Sequence, residues 1–152
     1  MISLERYCRK EKPPRVGRRN SDMVCLDTDI LIGLLRGDKA AVRMVEKLER
    51  IKKPLKTTII TGYELLKGAS ISSKPEENLQ RSRHLLSGLD IIPFDEGACE
   101  EPSRIYGELK LSGKMIGEFD ILIASIVINH DQGLVSGDDH FRMIRGLELE
   151  KW

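Results

Sequence analysis

Short apolar runs alternate with helical segments from residue 24 to the end of the chain, and this alternation most constrains the fold. The segment after Asp38 is typical of the helical ones, because Val42, Val45 and Leu48 recur on one helix face. Strands that alternate with helices form parallel sheets covered on both faces. The sequence therefore predicts a three-layer α/β fold with a mainly parallel sheet of about five strands. The predicted strands are residues 24–26, 55–60, 89–94, 133–136 and 147–149.

The segment 118–129 is apolar on nearly all sides, which predicts a central, buried helix. Its longest apolar stretch, residues 121–128, is much shorter than the about 20 residues that a membrane span needs. The chain has 152 residues, of which 40% are hydrophobic and 32% charged, as in one ordinary folded domain. Three widely spaced cysteines form neither a zinc motif nor a disulfide framework, so we expect a reducing, cytoplasmic location.

The formal net charge of +1 divides unevenly along the chain. Residues 1–22 carry a net charge of +4, and the remainder carries −3. Pro13, Pro14 and Gly17 oppose regular structure, so residues 1–22 are predicted to form a flexible basic arm. Such an arm either contacts nucleic acid or is an upstream extension, and the strand that begins directly after Met23 favours the extension. Residues 23–152 are predicted to form the folded domain.

Four acidic residues lie at predicted junctions between strands and helices. Because the ligand crevice of an open parallel sheet lies at the carboxyl ends of its strands, we expect all four at one edge. Clustered carboxylates repel one another, and Mg²⁺ or Mn²⁺ prefers such oxygen ligands. The set therefore predicts a metal site for phosphoryl transfer or phosphodiester hydrolysis, in which the metal activates water. The four residues are Asp27, Glu64, Asp120 and Asp138.

Each of the first two acids also has a purely structural interpretation. Asp27 could cap the helix that follows it, although Asp29 is equally placed for that task. The segment from Thr61 to Glu64 fits the capping box S/T-x-x-E, so Glu64 taken alone is better explained as structural.

The last two acids have similar alternatives. Asp120 could stabilise the positive end of its helix, a task for which Glu118 is a rival. Asp138 and Asp139 could be turn residues. The coincidence of four acids at four junctions favours the functional interpretation.

Four segments resemble PIN-domain ribonucleases, above all the VapC-type toxins of prokaryotic toxin–antitoxin pairs. The resemblance covers residues 23–152 and implies cleavage of RNA with Mg²⁺ or Mn²⁺, which leaves a 5′-phosphate and a 3′-hydroxyl. It also implies a homodimer and an antitoxin that blocks the site. The segments are LDTDILIGLLRG at 26–37, TGYELLKGA at 61–69, GKMIGEFDILIASIVI at 113–128 and LVSGDDHFRMIRGLELEKW at 134–152.

The resemblance also assigns roles to individual residues. Asp27, Asp120 and Asp138 would hold the principal metal, and Glu64 would hold a second metal or orient the attacking water. Thr28 and Ser136 match small polar residues beside the first and fourth acids, where Ser136 would orient a carboxylate. The candidate auxiliary acids are Glu118 and Asp139.

Basic residues must hold an RNA substrate, since the predicted domain is net acidic. The candidates are Lys67, Lys114 and Arg142, with Arg145 near the same motifs, although each one taken alone is better explained as solvated surface charge. His140 follows the fourth acid closely, but the adjacent Phe141 predicts that this turn packs inward, and no catalytic role is assigned to it.

Two other functions remain open at this point. The sequence Asp27-Thr28-Asp29 resembles the nucleophile motif of haloacid-dehalogenase-like phosphatases. Leu31 departs from that motif, and a phosphatase would leave Glu64 and Asp120 unexplained. In that case Asp27 would form an aspartyl-phosphate. The other alternative is a binding module without catalysis, which divalent metal would not stabilise.

Overall fold

A computed structural model describes residues 23–152, which form five strands and six α-helices. The basic arm predicted for residues 1–22 lies outside the described residues. The strands are β1 (Val24–Leu26), β2 (Leu55–Thr58), β3 (Asp90–Ile92), β4 (Gly133–Val135) and β5 (Glu148–Glu150). The helices are α1 (Thr28–Arg36), α2 (Lys39–Arg50), α3 (Ile59–Ser70), α4 (Pro75–Ser87), α5 (Glu101–Leu111) and α6 (Glu118–Asn129).

The five strands form one parallel sheet in the order β3-β2-β1-β4-β5. Strand β1 lies in the middle, where Val24 pairs with Leu55 of β2 on one side and with Gly133 of β4 on the other. Strands β2 and β3 follow β1 on one side of the sheet, and β4 and β5 lie on its other side. Open parallel sheets form their ligand crevice at such a reversal of strand order, here between β1 and β4. The predicted three-layer fold and its parallel sheet are confirmed.

Apolar side chains of β1 alternate between the two faces of the sheet, as the period of two in a strand requires. Cys25 packs with residues of α5 and α6, and burial raises the pKa of its thiol to about 12. Val24 and Leu26 pack on the opposite face with residues of α1 to α4. Helix α6 is buried along most of its length, as its composition predicts.

Several element boundaries differ from the predicted ones, and two of the differences have a clear local reason. Strand β2 ends at Thr58 rather than at residue 60, because the Thr58 hydroxyl accepts a hydrogen bond from the Thr61 N–H and so caps α3. The helix predicted from Asp95 to residue 111 is interrupted. Asp95 caps a short 3₁₀-helix, Glu96–Ala98, and α5 begins only at Glu101. Pro102 in the first turn of α5 cannot lie inside a continuous helix, since its ring would clash with the preceding turn.

Among residues 23–152, no helix is both long enough and apolar enough to cross a membrane.

Candidate active site

Asp27 lies directly after β1 and is 6% exposed. It occupies the N-cap position of α1, but its side chain makes no capping hydrogen bond. Instead, its Oδ2 accepts a hydrogen bond of 2.7 Å from the Ser136 hydroxyl, which is fully buried at the end of β4. Burial raises the pKa of Asp27 from 3.8 to about 7, because the hydrogen bond from Ser136 only partly offsets the loss of solvent around the charge. The capping alternative therefore does not explain this carboxylate.

Glu64 lies in the second turn of α3, because that helix begins at Ile59. The capping box predicted for the segment from Thr61 to Glu64 is therefore wrong, since Thr58 caps the helix. The Glu64 Oε2 accepts a hydrogen bond of 2.6 Å from the Thr28 hydroxyl at the start of α1. This bond joins α3 to α1 beside Asp27, and the charge of Glu64 contributes to the raised pKa of Asp27.

Asp120, Asp138 and His140 form the tightest group of metal-ligating side chains in the described part of the chain. Each offers a ligand atom within 4.8 Å of the others, and His140 Nδ1 lies 3.3 Å from Asp138 Oδ1. Burial raises the pKa of Asp120, and the carboxylates of Asp138 and Glu64 raise it further. Glu64 therefore lies close enough to interact with both Asp27 and Asp120.

The loop formed by residues 136–139 links this group to Asp27. The Ser136 hydroxyl, which donates to Asp27, accepts a hydrogen bond of 3.0 Å from the Asp138 N–H. The Asp138 carboxylate accepts one of 2.8 Å from the His140 N–H and so caps a 3₁₀-helix, Asp139–Met143. The cap holds residue 140 beside Asp138, so His140 lies at the site, although the sequence assigned it no role. Phe141 is buried, as predicted, although His140 itself is exposed.

Asp29 makes contacts that no local sequence pattern indicated. It lies inside α1 rather than at its N-cap, so it does not share the capping position with Asp27. Its Oδ2 accepts a hydrogen bond of 2.6 Å from the Gly137 N–H, and its Oδ1 accepts one of 3.2 Å from the indole of Trp152. These two partners lie more than one hundred residues away along the chain.

The two candidate auxiliary acids lie in different surroundings. Glu118 is exposed in the first turn of α6. Asp139 is also exposed and forms ion pairs with Lys151 at 2.9 Å and with Arg142 at 3.0 Å. The hydrogen bond from Lys151 lowers the pKa of Asp139. Its charge is thus already balanced by two cations.

The candidate substrate-binding cations also differ in their contacts. The Lys67 ammonium lies 5.5 Å from the ring centre of Tyr63 and 5.2 Å from that of Phe119, which are the sequence neighbours of Glu64 and Asp120. It therefore packs against the residues that directly precede Glu64 and Asp120 in the chain. Lys114 is exposed in the segment that leads from α5 to α6, and Arg142 is paired with Asp139.

The acidic group fits a divalent cation. The carboxylates of Asp120 and Asp138 lie close together, and the raised pKa values of Asp27 and Asp120 indicate that the protein alone stabilises their charges only in part. Hard cations such as Mg²⁺ and Mn²⁺ take carboxylate ligands and relieve this repulsion.

Comparisons with known proteins agree with this fold and site. A family model described as PIN domain matches residues 24–147. The tRNA(fMet)-specific endonuclease VapC of Shigella flexneri is 30% identical over 128 residues, which is 84% of this chain and 96% of the relative. Ribonuclease VapC2 of Rickettsia felis is 37% identical over 130 residues, with the same coverage. The chain belongs to the PIN-domain family, among the VapC ribonucleases.

A solved structure supports the same assignment at the level of the fold. The crystal structure of VapBC2 from Rickettsia felis, bound to a DNA fragment from its promoter, has a TM-score of 0.79 at 30% identity. The superposition covers 86% of this chain and 98% of the matched chain in that crystal structure. The membership favours a nuclease over the phosphatase considered from the sequence.

Proposed function

We propose that the protein is a divalent-metal-dependent endoribonuclease and the toxin of a VapBC-type toxin–antitoxin pair. The observation that carries the proposal is the convergence of Asp27, Glu64, Asp120 and Asp138 at the carboxyl edge of the sheet. The names of the relatives support RNA as the substrate class. The cytoplasmic location expected from the cysteines is part of the same proposal.

Asp120 and Asp138 would hold the metal, with Asp27 as the third carboxylate ligand. His140 would lie at the rim of the same group, where Asp138 orients it. Mg²⁺ or Mn²⁺ would activate water and neutralise charge on the scissile phosphate. The raised pKa of Asp27 supports its role as a ligand, since a buried carboxylate with little compensation gains most from a bound cation.

The remaining residues of the site would orient these ligands. Ser136 fixes one oxygen of Asp27, and Thr28 fixes one oxygen of Glu64. With one oxygen held, the other oxygen of Glu64 would hold a second metal or orient the attacking water. Lys67 would contact a phosphate of the RNA, because it lies beside the residues that flank Glu64 and Asp120. Lys114 is a second candidate, whereas Arg142 would have to leave Asp139.

The test is cleavage of a labelled single-stranded RNA with Mn²⁺ or Mg²⁺, with and without EDTA. The wild-type protein should cleave only with metal and leave a 5′-phosphate. Asp120→Asn should abolish cleavage and keep the fold, whereas Glu49→Gln, an exposed acid on α2, should cleave like the wild type. Cleavage by Asp120→Asn at the wild-type rate, or activity in EDTA, would overturn the proposal.

An antitoxin partner is the second part of the proposal, and the titles of the related complexes support it. An apolar groove between α1 and α4, lined by Leu34, Leu35 and Leu85, continues along Leu35 to Glu64. A protein segment in this groove would reach the acidic group and block it. Leu35→Glu should therefore escape inhibition by the antitoxin and keep cleavage. Leu111→Glu, at an exposed position on α5, is the matched control and should remain inhibited. Equal inhibition of both variants would contradict this use of the groove.

A homodimer, which the resemblance to the family implies, is also proposed for this protein. Sedimentation equilibrium of the full chain measures its mass directly, and a mass of 17.2 kDa at micromolar concentration would contradict the dimer.

A further inference from the structure

The last two residues of the chain, Lys151 and Trp152, are here called the C-terminal pair. They follow β5, whose Glu150 pairs with Val135 of β4, so the pair leaves the sheet beside the 136–139 loop. The Glu150 carbonyl accepts a hydrogen bond of 3.1 Å from the Ser136 N–H. The Lys151 ammonium donates to the Gly137 carbonyl and, at 2.9 Å, to Asp139 Oδ1. One side chain of the pair thus holds the loop at two points.

Trp152 contacts the same loop through Asp29. Its indole N–H donates to Asp29 Oδ1 at 3.2 Å, while Asp29 Oδ2 accepts the Gly137 N–H at 2.6 Å. Asp29 lies two residues after Asp27 on α1. The chain Trp152–Asp29–Gly137 therefore joins the helix that follows Asp27 to the loop that carries Asp138.

The protein has space for this arrangement only because two positions lack side chains. A Cβ at Gly33 would lie 3.1 Å from Cη2 of the indole and 2.9 Å from the Ala41 Cβ. A Cβ at Gly137 would lie 2.8 Å from Asp29 Oδ2 and 3.4 Å from the indole Nε1. The indole also packs against the apolar core formed by α1 to α4. The ring is thus held in one orientation, with its N–H directed at Asp29.

We propose that Lys151 and Trp152 are positioning residues for the metal site, and that they fix the 136–139 loop and with it the place of Asp138 relative to Asp27. This inference rests on the proposed function for its effect on metal and RNA. The expected size follows from other metal sites, where loss of a residue that orients a ligand lowers metal affinity about 10-fold or more.

The experiment compares the full-length wild type with Trp152→Phe and Lys151→Met. Phe keeps an apolar ring and removes the N–H, and Met keeps the apolar stem of Lys151 and removes its charge. Lys47→Met is the matched control, because Lys47 pairs at 2.7 Å with Glu150, the last residue of β5, but forms neither a hydrogen bond nor an ion pair with residues 136–139. Each variant is measured by amide hydrogen exchange without metal, by Mn²⁺ titration calorimetry and by RNA cleavage kinetics.

We expect the Gly137 amide to exchange about fivefold faster in both variants, the factor that matches loss of one hydrogen bond. Mn²⁺ affinity should fall about 10-fold, and kcat should fall with an unchanged KM for RNA. Lys47→Met should match the wild type in all three measurements. Wild-type exchange and Mn²⁺ affinity in Trp152→Phe and Lys151→Met would overturn the inference.

Two further measurements separate the inference from other outcomes. If the wild type binds no Mn²⁺, the proposed metal chemistry fails, while exchange at Gly137 still decides whether the pair holds the loop. The second measurement uses Asp29→Asn, which keeps Trp152 and weakens the hydrogen bonds that join Trp152 and Gly137 through Asp29. If Trp152 acts through Asp29, the double variant that combines Asp29→Asn with Trp152→Phe should bind Mn²⁺ no more weakly than Asp29→Asn alone. Additive losses would show that Trp152 acts by another route.

Discussion

Replacement of Asp27 by Asn should stabilise the metal-free protein at neutral pH while it abolishes cleavage. Asn is similar in shape, and its carbonyl oxygen can accept the same hydrogen bond from the Ser136 hydroxyl. The substitution removes the charge of a side chain that is 6% exposed and that pairs with no cation among residues 23–152. Replacement of a residue that supports function at a cost in stability should raise the free energy of unfolding and lower the cleavage activity.

The magnitude follows from the raised pKa of Asp27. In the folded protein the pKa is about 7, against 3.8 in the absence of burial. The folded state therefore holds the proton on Asp27 more tightly than the unfolded state does. The resulting contribution to the free energy of unfolding is complete below pH 4 and is lost as the pH rises to about 7. At about 1.4 kcal/mol for each tenfold change in the equilibrium constant, the loss amounts to about 4 kcal/mol above pH 7.

The assay is urea unfolding of both proteins in EDTA at several pH values. The advantage of Asp27→Asn in free energy of unfolding should grow from about 1 kcal/mol at pH 4.5 to about 4 kcal/mol at pH 8. Asp38→Asn is the control, because Asp38 is the exposed N-cap of α2, where Asn caps equally well. Saturation with Mn²⁺ to 100 times its dissociation constant should stabilise only the wild type, by about 2.7 kcal/mol.

Parallel pH profiles for the wild type and Asp27→Asn would refute this reasoning, because they would show that the folded protein does not raise the pKa of Asp27. Equal stabilisation of both proteins by Mn²⁺ would instead remove Asp27 from the set of metal ligands and leave the effect of burial intact.

Three further changes follow from other contacts of the site. Gly137→Ala should lower the free energy of unfolding by about 1–3 kcal/mol in urea titration, since its Cβ would lie 2.8 Å from Asp29 Oδ2. Thr28→Val removes the 2.6 Å hydrogen bond to Glu64, so kcat for RNA cleavage should fall about 10-fold while circular dichroism stays unchanged. Trp152 is the only tryptophan in the chain, and its indole bonds to Asp29. Mn²⁺ should therefore quench its fluorescence in the wild type and not in Asp120→Asn, and equal quenching in both would contradict the metal site.

The sequence predicted the class of fold because the relevant signals are local. Alternation of short apolar runs and helical segments is sufficient to indicate a parallel sheet covered on both faces. The composition of residues 118–129 likewise indicated a buried helix. Boundaries were less well predicted, since they depend on single interactions such as the Thr58 cap and the interruption before Pro102.

The sequence also singled out the four acids, because each was predicted to follow a strand or to lie at the start of a helix. It could not show which contacts hold them. Ser136 meets Asp27 over a separation of 109 residues, and Thr28 meets Glu64 over 36. No local pattern encodes such pairs, because the parallel sheet itself brings them together.

The sequence by itself thus determined the layer architecture, the family resemblance and the residue types that a metal site needs. Only the tertiary structure decided that Asp138 and His140 meet Asp120, that Asp29 contacts the 136–139 loop, and that Trp152 reaches α1. The physical reason is the distance along the sequence over which the interactions act. Secondary structure follows from neighbours three or four residues apart, whereas the order of strands in the sheet sets which distant side chains share the edge where the acids lie.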